Sequence, residues 1–185
     1  MGHVFDPDVL HDVVKRVVGQ PLPEMIEQIK SELSAEYPGY ILDNDRWIFN
    51  NAGGAMGQML VLHASITEYV IVFGSPIGTE GHSGRFMAED FFFILEGEQW
   101  AYAEGDLTRH VYKPGDRHIL PPGRAIGYKM PDRCYAFECA RGIIPAMLPF
   151  GVADAFSSTL DMSALGRTFG IYTKAVVGNL ARGKV

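Results

Sequence analysis

Gly115-Asp116-Arg117-His118-Ile119-Leu120-Pro121-Pro122-Gly123 reads as a strand held between two turns. Pro114-Gly115-Asp116 opens it, His118–Leu120 supplies the extended residues, and Pro121-Pro122-Gly123 closes it. The same pattern runs outward in both directions. Short runs rich in Val, Ile, Tyr and Phe alternate with Gly, Pro and Asp at Met59–His63, Tyr69–Phe73, Phe91–Leu95, Trp100–Ala103, His110–Tyr112, Ile126–Met130 and Cys134–Ala140. Eight short strands at about ten-residue spacing between Trp47 and Arg141 predict a closed sandwich or barrel. Closure would also hide the unpaired edges that a sheet of this size exposes.

Helical patterns flank that block. Residues 1–36 carry two: Asp6 is a candidate N-cap with Pro7 at the first helical position, and Val9, Leu10, Val13, Val14, Val17 and Val18 recur at helical spacing. Gly19 and Pro21 stop that helix, and Pro23–Ala35 supplies a second, before the turn at Tyr37-Pro38-Gly39. Beyond Arg141, Pro145–Leu160 reads as an apolar helix. A second from Met162 to about Leu180 places Leu165, Phe169, Tyr172 and Val176 on one stripe.

The chain has 185 residues, 47% hydrophobic and 21% charged, enough to bury one full core as a single domain over 1–185. Its net charge of −6 and its lack of a basic cluster argue against a nucleic-acid partner. Cys134 and Cys139 are five apart, so on one strand they point to opposite faces and read as structural thiols. No apolar run reaches the length of a membrane-spanning helix, since Ile143–Phe156 is broken by Pro145, Pro149 and Asp154, and no secretory signal is visible.

The opening stretch resembles the second half of the cupin barrel signature: a glycine, five residues, then Pro-x-Gly. The acidic residue, six others and a glycine that end the first half are matched by Asp90 and Gly97. Metal-binding cupins carry a histidine three positions after the last glycine; here that residue is Ile126, and Ser83-Gly84-Arg85-Phe86 stands where a His-x-His pair is expected. Zinc or iron needs three or four convergent N, O or S ligands, so no metal is expected. The expected fold is mainly β: a cupin-like β-barrel at 47–141 with an apolar interior, N-terminal helices at 1–36, and C-terminal helices at 143–182 covering its mouth.

Several short motifs point to bland readings. Asn50-Asn51-Ala52-Gly53-Gly54-Ala55-Met56-Gly57 lacks the lysine of a phosphate loop and reads as a tight backbone turn. Gly81-His82-Ser83-Gly84 fails the nucleophile-elbow pattern at its last position. His63, in an apolar strand, reads as a hydrogen-bonded core residue. Acid inside apolar strands says more. Glu138 shares a face with Ala136 and Ala140, whose small side chains leave room beside a carboxylate. Inward, it is desolvated and becomes a proton carrier; outward, it is an ordinary solvated acid, and alternation alone leaves both open. Of Glu89 and Asp90 only one can face inward, and Asp90 shares parity with Phe92 and Ile94.

Longer blocks carry a family likeness. Phe49 through Met59, Leu62-His63-Ala64-Ser65, Glu68-Tyr69, Gly78 through His82, Met147 through Gly151 and Phe156 through Asp161 make the chain resemble, from Phe5 to about Tyr172, the fungal-type sterol C-8 isomerases and the related sigma receptor. The receptor branch has an aspartate at the position of Phe92; the Glu89-Asp90 pair is similar to the isomerase branch. The resemblance implies a cofactor-independent isomerase of sterol (ergosterol-type) biosynthesis that moves a ring double bond from delta-8 to delta-7. The runner-up is a non-catalytic, receptor-like binder of sterols or lipophilic amines. It implies Asp90 facing Glu138 across the site as catalytic carboxyls, with Glu89 beside them but outside. Asp90 is expected as acid, and Glu138 as base and cation stabiliser.

By the same carry-over the site is lined by Met59, Val61, Tyr69, Ile71, Phe73, Phe92, Tyr128, Met130, Leu148 and Tyr172. The implied partners are a sterol or similar polycyclic lipid, lipophilic amine inhibitors, a membrane surface and two further copies in a homotrimer. The implied location is the endoplasmic reticulum in a eukaryote or the cytoplasmic membrane in a bacterium. The family's N-terminal spanning helix has no counterpart in these residues, so membrane contact is expected from the C-terminal helices.

Overall fold

The computed structural model describes residues 2–184. Two helices lead the chain, α1 (Pro7–Val17) and α2 (Leu22–Glu36). The Asp6 carboxylate caps α1 by accepting from the Asp8 N–H at 2.8 Å, and Pro7 follows it where its missing N–H costs nothing. Ten strands come next: β1 (Trp47–Ala52), β2 (Ala55–Ala64), β3 (Glu68–Ser75), β4 (Thr79–His82), β5 (Ala88–Glu96), β6 (Gln99–Ala103), β7 (His110–Tyr112), β8 (Arg117–Leu120), β9 (Ile126–Met130) and β10 (Cys134–Gly142). All eight expected strands are present. Two more, β1 and β4, flank glycine-rich turns that hid their extended character.

The strands form two antiparallel sheets, in the orders β1-β2-β3-β10-β5-β8 and β4-β9-β6-β7. The larger sheet is buried on both faces, and all eight residues of β3 are covered. Its outer face, with Leu60, Leu62, Val70, Val72, Phe91, Phe93 and Phe137, packs against Leu10, Val14, Val17, Ile29 and Leu33 of α1 and α2. Each such side chain contributes about 1.5–3 kcal/mol on leaving water. Its inner face, with Met59, Tyr69, Ile71, Phe73, Ile94, Ala136 and Ala140, turns toward the interior of the molecule. Cys134 and Cys139 fall in the inner and outer clusters respectively, as their spacing requires.

The mainly β, cupin-like expectation holds, with one correction: the sheets do not close into a continuous barrel. The β1–β2 hairpin turns back at Gly53-Gly54, so only its tip reaches β4. The seam is a single bond from the His82 N–H to the Gly53 carbonyl at 2.9 Å. The approach is close enough that a Cβ on Gly53 would meet the His82 carbonyl oxygen at 2.0 Å, and Gly53 also holds a φ of 64°.

The C-terminal block needs a second correction. The continuous helix expected over Pro145–Leu160 is instead a 3-10 turn (Ile144–Ala146), a short α3 (Leu148–Asp154) and a π turn (Ala155–Thr159). Pro149 has no N–H to bond back to the preceding turn, so the helix must start afresh there. Leu160 then enters the left-handed region at φ 52°, and the Asp161 carboxylate caps α4 (Met162–Ala181) by accepting from the Ala164 N–H at 2.8 Å. On α4 the residues buried outright are Ala164, Ala175 and Asn179, whose modest size lets the helix come down on the sheets, while Leu165, Phe169 and Tyr172 of the expected stripe face the cavity beneath it. Asn179 donates to the Ala64 carbonyl at 2.8 Å. Past it, Lys184 donates to the fully buried Glu68 at 2.9 Å and to the Gly2 carbonyl, tying both ends of the chain to β3.

Candidate functional site

Strand register builds the site. Across β3, β10 and β5, one row runs Tyr69–Ala140–Asp90 and the next runs Ile71–Glu138–Phe92. Paired residues in an antiparallel sheet share a face, so both carboxyls project inward as diagonal neighbours on adjacent strands. Asp90 and Glu138 are 8% and 7% exposed, and both line a cavity of about 220 Å³ between the sheets and the α3–α4 cover. That is below the range of about 300–1,000 Å³ usual for small-molecule sites.

No described residue lining this cavity is Lys or Arg. Burial therefore dominates the carboxyls. It raises Asp90 from 3.8 to about 7, against the Tyr69 hydroxyl and the Phe91 N–H, which both favour the anion. Glu138 is raised well above the usual range, first by burial and then by the Asp90 charge. One proton shared by two acids is the resting state that these surroundings favour near neutrality. The Tyr69 hydroxyl donates to Asp90 Oδ2 at 3.3 Å. Burial, followed by the neighbouring carboxylates, keeps the Tyr69, Tyr128 and Tyr172 hydroxyls protonated. Behind Phe92, the His118 ring stacks at 5.9 Å and Tyr112 stacks on His118 at 4.7 Å. Burial lowers His118 to about 4, so the wall behind Phe92 is neutral at pH 7.

Of the expected lining, Met59, Tyr69, Ile71, Phe73, Phe92, Tyr128, Leu148 and Tyr172 reach the cavity. Val61 and Met130 do not: at 0% and 1% exposed they belong to the inner core behind the lining, a correction to the expected list. Glu89 is half-buried, stands opposite Arg141 in register and is absent from the lining, so it faces away from the pair. His63 is the core residue expected, with Nδ1 2.8 Å from the Tyr40 carbonyl oxygen.

Sequence reading missed the mouth of the cavity. Asn50 and Asn51 on β1, His82 at the end of β4, Ser83 and Phe86 after it, and Met147 and Phe150 around α3 all line it. The signal was present in the two glycine-rich stretches at 50–57 and 81–84. Their glycines allow the backbone contact between Gly53 and His82 that brings both stretches to one rim. Among the described residues no three of His, Cys, Asp and Glu converge in a way that would hold a metal ion.

Comparisons with known proteins bear on the whole chain. The family model described as "ERG2 and Sigma1 receptor like protein" matches residues 1–184. The C-8 sterol isomerase of Neurospora crassa is 48% identical over 98% of this chain and 73% of its own length. That of Aspergillus fumigatus is 48% identical over 98% of this chain and 78% of its own. The sigma non-opioid intracellular receptor 1 of Danio rerio is 37% identical over 95% of this chain and 80% of its own. Among solved structures, KdgF from a Halomonas species aligns with a TM-score of 0.47 at 13% identity, covering 56% of this chain and 94% of that one. An RmlC-like cupin from Shewanella frigidimarina aligns at 0.46 and 16% identity, over 56% of this chain and 90% of that one.

Proposed function

This chain belongs to the ERG2 and Sigma1 receptor like family, and on that premise we propose that Asp90 and Glu138 are the acid–base pair with which it works as a C-8 sterol isomerase. The protein is a sterol isomerase by its likeness to the fungal enzymes along nearly its whole length. The observation that carries the assignment of the pair is two buried carboxyls, diagonal neighbours on β5 and β10, in a cavity whose described lining holds no Lys or Arg.

Moving the bond from delta-8 to delta-7 delivers a proton to C9, creates a cation at C8 and removes a proton from C7. One C–H bond forms, one breaks, and no electron leaves the substrate. A pair sharing one proton has both functions ready: the protonated member is the acid, and the anion is the base. The anion also stabilises the C8 cation. Between the two carboxyls themselves, at a diagonal separation of about 7 Å and an effective dielectric near 20, like charges would repel by on the order of 2 kcal/mol, which favours keeping one of them protonated. The faces of Phe92 and Tyr69 add cation–π attraction in the same dry space.

The cover explains access. Phe156 in the π turn, Leu160 just after it, and Met162, Val177 and Leu180 on α4 are exposed apolar side chains. No described helix is long and apolar enough to cross a membrane. The proposal is that this face lies in the membrane interface, where a lipid substrate enters from the bilayer. The cavity of about 220 Å³ is smaller than most small-molecule sites, so the proposal includes an outward movement of the cover to admit a four-ring lipid. A homotrimer is proposed on the family resemblance.

The deciding experiment is incubation of purified protein with a delta-8 sterol in detergent or vesicles, followed by product analysis. Conversion to the delta-7 isomer supports the reading. Tight binding with no conversion would move the chain to the receptor-like alternative, which the 37% identity to the zebrafish receptor keeps in view.

A further inference from the structure

Two acids of one site are not equivalent when only one of them has a hydrogen-bond donor. Ala140 separates Tyr69 from Asp90 in the row across β3, β10 and β5, and its methyl group is too small to block the tyrosine ring. The Tyr69 hydroxyl therefore passes over β10 and donates to Asp90 Oδ2 at 3.3 Å. No described side chain donates to Glu138; its neighbours in the adjacent row are Ile71 and Phe92.

We infer that Tyr69 is a positioning residue that fixes Asp90 as the anion of the pair and so leaves the proton on Glu138. This rests on the isomerase reading for its chemistry, and it reverses the order expected from sequence. A donor stabilises a carboxylate more than a carboxylic acid, so the proton settles on the partner without one. The other ionisable groups around the pair leave that bias intact. Tyr128 on β9 and Tyr172 on α4 stay protonated, and His118 on β8 is neutral. Glu89 and Arg141 face away from the cavity.

The steps then have fixed owners. Glu138 gives its proton to C9, and the electrons of the C8=C9 bond form the new C–H bond, leaving the cation at C8. The Asp90 carboxylate takes a proton from C7, and the freed electron pair becomes the C7=C8 bond. The proton returns from Asp90 to Glu138, and the pair is reset. The hydroxyl of Tyr69 touches no reacting carbon and acts through Asp90 alone.

The test locates the proton without needing turnover. A protonated carboxylic acid shows a carbonyl stretch that a carboxylate lacks, so the infrared difference between wild type and Glu138→Gln isolates the pair. Protein labelled with heavy carbon in the glutamate carboxyls is expected to shift that band, and protein labelled in the aspartate carboxyls to leave it in place. Tyr69→Phe keeps the ring and removes only the donor. The band should then divide between the two labels, and the acid limb of the pH–rate profile should move up by about one unit, a tenfold weaker first ionisation. A band that follows the aspartate label overturns the inference, as does a Tyr69→Phe protein with unchanged band and pH profile. If the band follows glutamate but no delta-8 sterol is converted, the isomerase reading fails while the placement of the proton stands.

Discussion

Glu138→Gln separates catalysis from folding in one substitution. Gln keeps the shape of Glu138 among Ile71, Phe92 and the flanking alanines, but it carries neither the proton nor a charge. Loss of the acid–base function alone is expected to cost about 10²–10⁴-fold in turnover. Loss of its share in holding the cation adds to that.

Stability should move the other way, and the sign follows from the raised pKa values. Burial lifts both carboxyls above their unfolded values, so the unfolded chain ionises first as pH rises. The stability these groups allow is full below pH 4 and falls as pH climbs toward the folded values. For Asp90 the rise from 3.8 to about 7 is about three units, on the order of 4 kcal/mol lost by pH 7. Glu138 contributes in the same direction, and its charge also raises the cost of ionising the pair. Glu138→Gln is therefore expected to melt higher than wild type at pH 7 and level with it at pH 4, while conversion of a delta-8 sterol falls by at least two orders of magnitude. Thermal melting at the two pH values and sterol product analysis are the assays. A folded variant that turns over within a few-fold of wild type removes Glu138 from the mechanism. One that melts lower at pH 7 than at pH 4, relative to wild type, refutes the strain argument.

A sterol-shaped amine that is protonated at neutral pH should bind the wild type at least tenfold more tightly than its uncharged isostere, and calorimetry on Asp90→Asn, which removes the anion of the pair, should find that preference gone. Asp90→Asn should lower turnover by about 10²-fold or more, whereas Glu89→Gln, outside the cavity, should stay within a few-fold; equal losses in steady-state assays would mean that the inward face of β5 is misassigned. Replacing Phe156, Leu160 and Met162 together by serine should weaken flotation with vesicles and leave the melting temperature within a few degrees, because these side chains are exposed; unchanged flotation would remove the cover from the membrane interface.

Periodicity and turn chemistry made the strands legible. Eight apolar runs between Gly, Pro and Asp were enough for the mainly β block, and parity put Asp90 on one face with Phe92 and Ile94, while the family resemblance supplied the expectation that this face is the inward one. Alternation could not orient Glu138, because β10 is covered on both faces: Phe137 and Cys139 meet the side of α1 and α2, while Ala136 and Ala140 face the interior. A strand buried on both sides has no polar face to reveal its direction. The break at Pro149 was written in the chain but outweighed by the apolar run around it.

By itself, then, the sequence determined which residues could carry the chemistry, since that depends on residue type and local spacing. Tertiary structure alone decided which of them meet. The rim built from Asn50, Asn51, His82 and Phe150 joins segments up to a hundred residues apart, and the bond from Tyr69 to Asp90 crosses an intervening strand. Such contacts arise from register and sheet order, which short-range pattern does not encode, and the division of labour between the two carboxyls depends on them.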